Sequence, residues 1–296
     1  MLKIRVPATS ANLGPGFDSL GLALNLWNEI SFEAADKTSY QVSGEGAERL
    51  NRSARNLLTR AFVRLHEVCG TQAPKVRIQA HNNIPLSSGL GSSAAAIVTG
   101  LFAANQFLGK PLPEMELLKL GADMEGHPDN VAAALFGGLV VSVITPEGIM
   151  ARRFEVPEFC VVIVKPRVDW PTRVARAVLP KSISRADAVF NIGHAVLVTD
   201  ALRLGDLDFL KKVMADRIHE PYRLKHISGG MAAYETASRI GAAALSGAGP
   251  SIITFVEPEL AEKAQREIVT AFGQYGVMAR GIITTPSNGG IEQTAI

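Results

Sequence analysis

Glycines and serines crowd the segment at residues 85–95, which reads Pro-Leu-Ser-Ser-Gly-Leu-Gly-Ser-Ser-Ala-Ala. Gly89 and Gly91 allow the backbone to turn tightly and to approach a ligand without interference from a Cβ atom. The segment opens an apolar helix, and the first amides of a helix have no partner within it and carry partial positive charge. A phosphate placed there can accept several N–H bonds, while Ser92 and Ser93 add hydroxyls for a phosphate oxygen or a metal ion.

The same segment has an alternative interpretation. A glycine turn followed by a serine N-cap needs no ligand, and for an isolated Gly-x-Gly that interpretation is the usual one. Here two glycines, four serines and a run of small residues occur together, which favours phosphate binding. The loop is not a Walker A loop, because no Gly-Lys-Ser or Gly-Lys-Thr follows it, and the chain contains neither the His-Arg-Asp nor the Asp-Phe-Gly of the protein kinases.

A second polar cluster occupies residues 125–130 and reads Glu-Gly-His-Pro-Asp-Asn, between two apolar segments. Such a run makes a poor core and suits a loop that faces a cleft at a helix junction. Taken alone, His127 would more often be a structural histidine with satisfied hydrogen bonds. Its position within this cluster favours a functional role.

Two further glycine-rich segments lie near the ends of the chain. Residues 6–18 read Val-Pro-Ala-Thr-Ser-Ala-Asn-Leu-Gly-Pro-Gly-Phe-Asp, and residues 245–251 read Leu-Ser-Gly-Ala-Gly-Pro-Ser. A simple turn explains the glycines and proline of the first segment. It does not explain Asn12 and Asp18, which enclose them, whereas an acidic group is what an ammonium ligand requires.

Together, the three glycine-rich segments resemble the three motifs of the GHMP kinases, a superfamily of small-molecule kinases, and they span most of the chain. The resemblance implies an α+β fold in which an N-terminal domain like ribosomal protein S5 precedes a ferredoxin-like domain. It also implies transfer of a phosphoryl group from ATP with the help of Mg²⁺. Residues 12–21 and the His-x-Asp-Asn stretch are similar to the branch that phosphorylates the side-chain hydroxyl of L-homoserine, a step of threonine biosynthesis.

Two arginine segments extend the resemblance to that branch. Residues 171–180 resemble its Ser/Thr-x-x-x-Arg-x-x-Leu-Pro pattern, and residues 220–223 resemble its Glu-Pro-x-Arg pattern. Most single arginines are solvated surface residues. A substrate amino acid, however, needs a guanidinium group for its carboxylate, and Arg176 and Arg223 stand at the matching positions.

The resemblance implies a role for each matching position. The nucleotide-binding positions are Asn56, Pro85, Leu86, Ser87, Ser88, Gly89, Leu90, Gly91, Ser92, Ser93, Ala94 and Ala95, and the Mg²⁺ ligands are Ser93 and Glu125. The substrate's ammonium group is assigned to Asp18 and Asp129, its carboxylate to His127, Arg176 and Arg223, and its hydroxyl to the catalytic positions Asn12, Asn130 and Thr172. In this assignment, each charged group of the substrate meets side chains of opposite charge: two carboxylates for the ammonium group, and two arginines with a histidine for the carboxylate.

No dedicated general base is expected. Asn130 cannot accept the hydroxyl proton, and phosphoryl transfer passes through a loose transition state in which positioning and charge stabilisation supply most of the catalysis. Asp129 is the candidate if a base is used. Two alternatives to the whole assignment stay open. One is a mevalonate kinase, but mevalonate has no amine and so gives no reason for both Asp18 and Asp129. The other is a non-catalytic binding or sensor protein of the same fold, which should have lost the metal ligands, whereas Ser93 and Glu125 are both present.

Hydrophobic periodicity predicts the elements that hold these segments. Strands are predicted at residues 3–7, 29–34, 75–80, 159–165, 242–246, 251–256 and 277–284, and helices at 54–69, 92–108, 113–125, 184–204, 206–217, 231–239 and 258–272. The second half has the order of a split βαβ, or ferredoxin-like, domain. We therefore predict a nucleotide-binding domain at residues 1–157 and a ferredoxin-like domain at residues 158–296.

Bulk properties exclude several classes of function. The 296 residues carry a net charge of +2 and no charged run, which argues against nucleic acid or a membrane surface as the main partner. Lys3 and Arg5 interrupt the first apolar residues, so no secretory leader is expected, and the apolar stretch at 131–144 is too short to span a bilayer. Cys69 and Cys160 fit a reducing compartment. These features predict a cytoplasmic protein, with its oligomeric state left open, a homodimer included.

Overall fold

The computed structural model describes residues 1–51 and 56–294, and its strands form two sheets. The first sheet contains β1 (Leu2–Ala11), β2 (Leu20–Ala34), β3 (Ser39–Gly44), β4 (Val76–Asn82), β5 (Leu139–Thr145), β6 (Gly148–Phe154) and β11 (Glu292–Gln293). The second contains β7 (Cys160–Pro166), β8 (Ala242–Leu245), β9 (Ile252–Val256) and β10 (Ala279–Thr284).

The helices occupy the faces of these sheets. They are α1 (Ala47–Asn51), α2 (Leu57–Val68), α3 (Ser92–Phe107), α4 (Glu114–Glu125), α5 (Asp129–Phe136), α6 (Thr172–Ala177), α7 (Arg185–Leu204), α8 (Leu207–Val213), α9 (Glu220–Leu224), α10 (Gly230–Ile240) and α11 (Ala261–Gly273), with a 3₁₀ turn at Pro258–Leu260 before the last. The first two residues of the helix predicted at 54–69 lie outside the described residues.

The long strand β2 organises the first sheet. It pairs antiparallel with β1, through its second half with β4, and at its start with β5. β3 runs parallel to β4, and β6 forms an antiparallel hairpin with β5. α3 and α5 pack on β1, and α2 covers α3. The start of α3 therefore lies close to the end of β1, where the Asn-Leu-Gly-Pro-Gly segment begins.

The second sheet has the strand order β10-β7-β9-β8 and is antiparallel throughout. With α11 between β9 and β10, this is the predicted ferredoxin-like arrangement. Strands β7, β8 and β9 of this sheet are buried on both faces: α10 and α11 cover one, and α7 and α8 lie toward the other. Burial on both sides accounts for the nearly uninterrupted apolar character of β7 and β9.

The chain passes from the first sheet to the second between the end of β6 at Phe154 and the start of β7 at Cys160. The last described residues then return, because β11 pairs with β1. One apolar core contains residues of both sheets, including Val6 of β1 and Phe255 of β9. A domain boundary at residue 157 remains a proposal.

Several element bounds differ from the sequence prediction. β1 continues to Ala11, and β2 begins at Leu20 instead of residue 29, because the two strands pair along most of their length. The helix predicted at 206–217 ends at Val213. Beyond it, the Asp216 carboxylate accepts hydrogen bonds from the amides of residues 218–220, and such side-chain bonds compete with helix continuation. The prediction did not include β3, β5, β6, β11, α1, α5, α6 or α9.

Candidate active site

The three glycine-rich segments meet at one place in the fold. The amide of Thr9, in β1, donates to the carbonyl of Leu90 at 3.2 Å, and the amide of Gly247 donates to the carbonyl of Ala11 at 3.0 Å. The hydroxyl of Ser246 donates to the carbonyl of Gly89 at 2.8 Å. Residues from the start, the middle and the end of the chain thus hold one another in place through hydrogen bonds.

A cavity of about 460 Å³ opens where these segments meet. Among the predicted site residues, those that line it are Asn12, Asp18, Asn56, Leu86, Ser87, Ser88, Gly89, Leu90, Gly91, Ser92, Ser93, Ala95, Glu125, His127, Asp129, Asn130, Thr172, Arg176 and Arg223. Pro85 and Ala94 do not line it. The Pro85 carbonyl instead accepts a bond from the Ser88 hydroxyl, and Ala94 is fully buried.

The N-terminus of α3 points into this cavity without a cap. Its N-cap residue is Gly91, which has φ +66° and supplies no side chain to the first amides. A Cβ at Gly91 would lie 1.9 Å from Thr9 Oγ1 and 3.1 Å from Asn130 Oδ1. Only glycine therefore fits here, and the open amides of a sixteen-residue helix offer an anion site next to Asn130.

Asn56 lies at the N-terminus of α2, on another wall of the cavity. Its Oδ1 accepts bonds from the amides of Leu58 and Thr59 at 2.9 and 3.4 Å and so caps the helix. Its Nδ2 is buried and makes no hydrogen bond of good geometry among the described residues, although the side chain interacts with the Tyr40 hydroxyl. A buried donor without such a bond is costly, and a ligand acceptor in the cavity would satisfy it.

Ser93 and Glu125 are in direct contact, since the Ser93 hydroxyl donates a hydrogen bond to Glu125 Oε1. Ser93 lies in the first turn of α3, and Glu125 is the last residue of α4. In the described part of the chain, no group of three or more His, Cys, Asp and Glu side chains could hold a metal ion. One carboxylate and one hydroxyl beside an anion site nevertheless fit a divalent ion that takes its other ligands from phosphate oxygens and water.

Asp129 is the centre of a polar cluster at the start of α5. Its Oδ1 accepts bonds from His127 Nδ1 at 2.6 Å, from the Asn130 amide at 2.6 Å and from Asn130 Nδ2 at 3.2 Å. Burial alone would lower the pKa of His127, but the hydrogen bond and charge of Asp129, with the charge of Glu125, raise it above its ordinary value. The segment is the predicted helix junction, although Asp129 and Asn130 belong to the helix and not to a loop.

Asn130 has a fixed side-chain orientation. The Thr9 hydroxyl donates to its Oδ1 at 2.8 Å, while its Nδ2 donates to Asp129. The side chain therefore presents its amide between the phosphate loop and the carboxylate of Asp129. Asn12 is held in a similar way, because its Nδ2 donates to the Gly247 carbonyl at 2.7 Å and its Oδ1 accepts from the Asp18 amide at 3.0 Å.

Asp18 and Arg176 form a bidentate ion pair across the mouth of the cavity. Arg176 Nη1 and Nη2 lie 3.0 and 2.7 Å from the two carboxylate oxygens, and the hydrogen bonds to Asp18 raise the pKa of Arg176. Both side chains are partly exposed, at 39% for Arg176 and 34% for Asp18. The predicted partners of a substrate's carboxylate and ammonium groups thus bind each other in this structure.

Arg223 lies deeper and is only 1% exposed. It donates to the carbonyls of Ala175 and Gly247 and, through Nη1, to His219 Nδ1 at 3.1 Å. His219 Nε2 then donates to the Gly14 carbonyl at 2.8 Å. Burial lowers the pKa of His219 to about 4, so this imidazole is neutral near pH 7 and links the arginine to the glycine turn of the first motif.

Comparison with known proteins agrees with this geometry. Residues 56–138 match the family model "GHMP kinases N terminal domain", and residues 198–274 match "GHMP kinases C terminal". The chain is 40% identical to the homoserine kinase of Moorella thermoacetica, over 97% of this chain and 98% of that one. It is 41% identical to the homoserine kinase of Carboxydothermus hydrogenoformans, over 98% and 96%.

The chain belongs to the homoserine kinase family. A crystal structure of homoserine kinase from Cytophaga hutchinsonii superposes with a TM-score of 0.86 at 30% identity, covering 99% of this chain and 97% of that chain. The GHMP kinase fold predicted from the motifs is therefore confirmed. No helix in the described residues of this homoserine kinase family member is long and apolar enough to cross a membrane.

Sequence reasoning missed several residues that support the site. Phe17 stacks on His219 with ring centroids 5.3 Å apart, and the guanidinium carbons of Arg176 and Arg223 lie 5.7 and 5.3 Å from its ring, within cation–π range. Trp170 donates to the Ala248 carbonyl at 2.8 Å and holds the third glycine segment. Phe17 stands within the first motif, and His219 precedes Arg223 by four residues, a spacing that places two side chains on one helix face.

Proposed function

We propose that this chain transfers the γ-phosphoryl group of ATP to the side-chain hydroxyl of L-homoserine, giving O-phospho-L-homoserine and ADP. The observation that carries the proposal is a single cavity with an uncapped helix N-terminus at one side and both acidic and guanidinium groups at the other. The helix N-terminus suits phosphates. The acidic and guanidinium groups suit a substrate that bears both an ammonium and a carboxylate group.

The phosphates of ATP bind at the first amides of α3, and the nucleoside lies toward Asn56. The buried Nδ2 of Asn56 supports this placement, because it makes no hydrogen bond of good geometry among the described residues and an acceptor in the cavity would provide one. Positive charge close to the phosphates comes from the dipole of α3. No lysine of the Walker type is needed in this arrangement.

The divalent ion is proposed to be Mg²⁺, with Glu125 and Ser93 as its protein ligands. When bound, it would neutralise negative charge on the phosphates and orient them for transfer. The contact between the two side chains supports a shared role, since the hydroxyl is already directed at the carboxylate. Mg²⁺ in kinases is commonly held by one or two carboxylates together with substrate phosphates.

L-Homoserine binds with its ammonium group near Asp18 and Asp129 and its carboxylate near His127, Arg176 and Arg223. The raised pKa of His127 supports its part, since a protonated imidazole attracts an anion. To bind in this way, the substrate's ammonium and carboxylate groups would have to replace the contacts that Asp18 and Arg176 make with each other. Asn12, Asn130 and Thr172 orient the hydroxyl, and Asn130 lies beside Gly91, where the phosphates arrive.

The hydroxyl proton needs no dedicated base in this proposal. The amide of Asn130 cannot accept the hydroxyl proton. Oδ1 of Asp129 already accepts three hydrogen bonds, from the His127 side chain and from the backbone and side-chain amides of Asn130. Positioning by the polar cluster and charge stabilisation by the helix terminus supply the catalysis. Asp129 then serves as a counter-charge for the ammonium group.

A coupled ADP-release assay with homoserine, mevalonate and galactose tests the substrate. We expect turnover with homoserine and none with the other two, because neither of them carries an amine for Asp18 and Asp129. Robust turnover with mevalonate and none with homoserine would contradict the proposal. ATP hydrolysis with no acceptor at all would point to a binding protein with residual activity.

We also propose a cytoplasmic location. ATP as co-substrate supports it, and so does the state of Cys69 and Cys160, which are both free thiols, as is usual in a reducing compartment. Expression of a tagged chain in its own cell, followed by fractionation, tests this proposal.

A further inference from the structure

Arg223 has one end of its guanidinium group left for a ligand. Its Nε donates to the Ala175 carbonyl at 3.1 Å, and its Nη1 donates to His219 Nδ1 at 3.1 Å and to the Gly247 carbonyl at 3.2 Å. Nη2 makes no hydrogen bond to any residue that the structure describes. Because Arg223 lines the cavity although it is buried, the N–H groups of Nη2 are available to an acceptor in the cavity.

The two ring nitrogens of His219 have opposite roles. A guanidinium group can only donate, so Nδ1 must accept the bond from Arg223 and carries no proton. Nε2 then carries the proton and donates a hydrogen bond to the Gly14 carbonyl at 2.8 Å. An imidazole protonated on both nitrogens would present an N–H group to the guanidinium, and two donors cannot bond to each other. The contact with Arg223 therefore requires the neutral ring with its proton on Nε2.

The surroundings of His219 keep its ring neutral and fixed. The side chain is fully buried, and burial, with the charge of Arg223, lowers its pKa to about 4. The Asp216 carboxylate lies 3.9 Å from Nε2, but its two oxygens already accept hydrogen bonds from other groups. Phe17 stacks on the imidazole with ring centroids 5.3 Å apart, which fixes the plane of the ring.

His219 has no direct access to a ligand. It does not line the cavity, and both of its ring nitrogens are used in bonds within the chain. It can therefore neither touch a substrate nor take a proton from one. Any effect of His219 on a ligand must pass through Arg223 or through the glycine turn that contains Gly14.

We propose that His219 is a positioning residue for the substrate's carboxylate group, because it fixes the guanidinium of Arg223 so that Nη2 faces that carboxylate. This inference rests on the proposed function, in which Arg223 binds the carboxylate of L-homoserine. The guanidinium group is planar, so a bond at Nη1 also sets the direction of Nη2. A donor whose direction is set before the ligand arrives loses less conformational freedom on binding.

Two substitutions at His219 separate its contact with Arg223 from its contact with Gly14. In His219→Asn, the side-chain oxygen can take the place of Nδ1 and accept from Arg223, but no donor reaches Gly14. In His219→Gln, the side-chain nitrogen can take the place of Nε2 and donate to Gly14, but Arg223 loses its acceptor. Both side chains are neutral and polar, so the two variants differ mainly in which contact remains.

Steady-state kinetics of the full chain with homoserine and ATP test the proposal. His219→Gln should raise the KM for homoserine by about ten-fold, because a buried N–H of Arg223 loses its acceptor, whereas His219→Asn should stay within about two-fold of the wild type. Neither variant should change kcat or the KM for ATP much, since the lost contact serves substrate binding alone. His226→Gln is the matched control, since His226 is an exposed histidine just beyond α9; it should behave as the wild type.

A histidine that only ties α9 to the glycine turn predicts the opposite order. His219→Gln would then resemble the wild type, and His219→Asn would be the impaired variant. That order, or equal effects of the two variants on the KM for homoserine, would overturn the inference while leaving the proposed function intact. A wild type that does not phosphorylate homoserine would instead overturn both.

The wild type gives a second test that needs no substitution. Long-range ¹H–¹⁵N NMR of the chain labelled at histidine, with the His219 ring assigned through its own backbone resonances, reports the protonation of each ring nitrogen. We expect a proton on Nε2 and none on Nδ1 from roughly pH 6 to 8. A ring protonated on Nδ1, or on both nitrogens, could not accept the bond from Arg223 and would overturn the proposal.

Discussion

At the scale of single residues, the site combines groups of opposite charge that are held by different elements. Glu125 ends α4, and its carboxylate receives the Ser93 hydroxyl at the start of α3. Arg223 is buried and held by two carbonyls and a neutral histidine. Since a buried charge must be paired or hydrogen-bonded to be tolerated, these contacts show how the cavity keeps its charged groups in place before any ligand arrives.

Glu125→Gln should lower kcat by orders of magnitude and raise the concentration of Mg²⁺ needed for half-maximal rate, because one charged metal ligand is lost. Steady-state rates over a Mg²⁺ titration measure both effects. Asp123→Asn, an exposed acid on the same helix, is the control and should behave as the wild type. An unchanged Mg²⁺ requirement in Glu125→Gln would remove Glu125 from the metal site.

Asp129→Asn separates two roles for this carboxylate. If Asp129 is the counter-charge of the ammonium group, the KM for homoserine should rise by about 30-fold or more, as expected for loss of a buried charged partner, while kcat changes little. The kcat profile of the wild type should be flat from roughly pH 7 to 9, apart from ionisations of the substrates. Saturation kinetics of both proteins across this range provide the measurement.

The opposite pattern would identify Asp129 as the general base. In that case, kcat of Asp129→Asn would collapse at an unchanged KM. The wild type would also show an acid limb in its pH profile that the variant lacks. Either result would contradict the base-free mechanism.

At the scale of elements, α3 has two functions that its sequence combines. Its small apolar residues pack against α2, β1 and α5 in the core, while its N-terminus remains uncapped and faces the cavity. The close approach of Thr9 and Asn130 to Gly91 brings the end of β1, the start of α5 and the start of α3 together. The phosphate site is therefore a property of three packed elements and not of the glycine loop alone.

Gly91→Ala should abolish measurable ATP binding, because the new Cβ would lie 1.9 Å from Thr9 Oγ1 and would force β1 and α3 apart. Isothermal titration calorimetry with a non-hydrolysable ATP analogue measures the loss. Gly70→Ala is the control, since Gly70 has nearly the same φ of +67° but open space around its Cβ position. If both variants bind alike, the close contact at Gly91 does not matter for the nucleotide.

At the scale of the whole molecule, buried polar groups connect α9 to the second sheet and to the glycine turn of the first motif. Burial raises the pKa of Glu220 to about 8, and the charge of Asp216 adds to the effect. Glu220 accepts a bond from the Leu245 amide at 2.6 Å and so ties α9 to β8. It is therefore largely protonated near pH 7 in the folded state, whereas it is ionised in the unfolded chain.

This difference makes stability depend on pH in a defined direction. Between the ordinary glutamate pKa and about pH 8, the folded protein holds a proton that the unfolded chain has lost, so stability decreases as pH rises through that window. Glu220→Gln cannot titrate. Its free energy of unfolding relative to the wild type should therefore increase with pH, by roughly 1 kcal/mol per unit between pH 5 and 8.

Urea unfolding of both proteins at several pH values measures this trend, and contributions from all other groups cancel in the difference. Glu235→Gln, an exposed position on α10, should give a difference that does not change with pH. A constant difference for Glu220→Gln as well would mean that Glu220 is ionised in the folded protein.

The sequence by itself determined the features that depend on neighbouring residues. Gly89 and Gly91, before a helix of small residues, indicate a phosphate loop, because backbone freedom and helix termini are local properties. The order of strands and helices in the second half likewise predicts the ferredoxin-like sheet. The ends of the strands were predicted less well. β2 begins nine residues before its predicted start, because pairing with β1 outweighs the local strand preference of its residues.

Only the tertiary structure decided which side chains meet. Asp18 and Arg176 are 158 residues apart in the chain, and Asn12 and Gly247 are 235 apart; nothing in their local sequence pairs them. The same holds for His219, whose link between Arg223 and the first motif depends on α9 packing beside the glycine turn. Hydrogen bonds and ion pairs need groups within a few ångströms in a fixed direction, and that placement arises from the packing of two sheets against a common core.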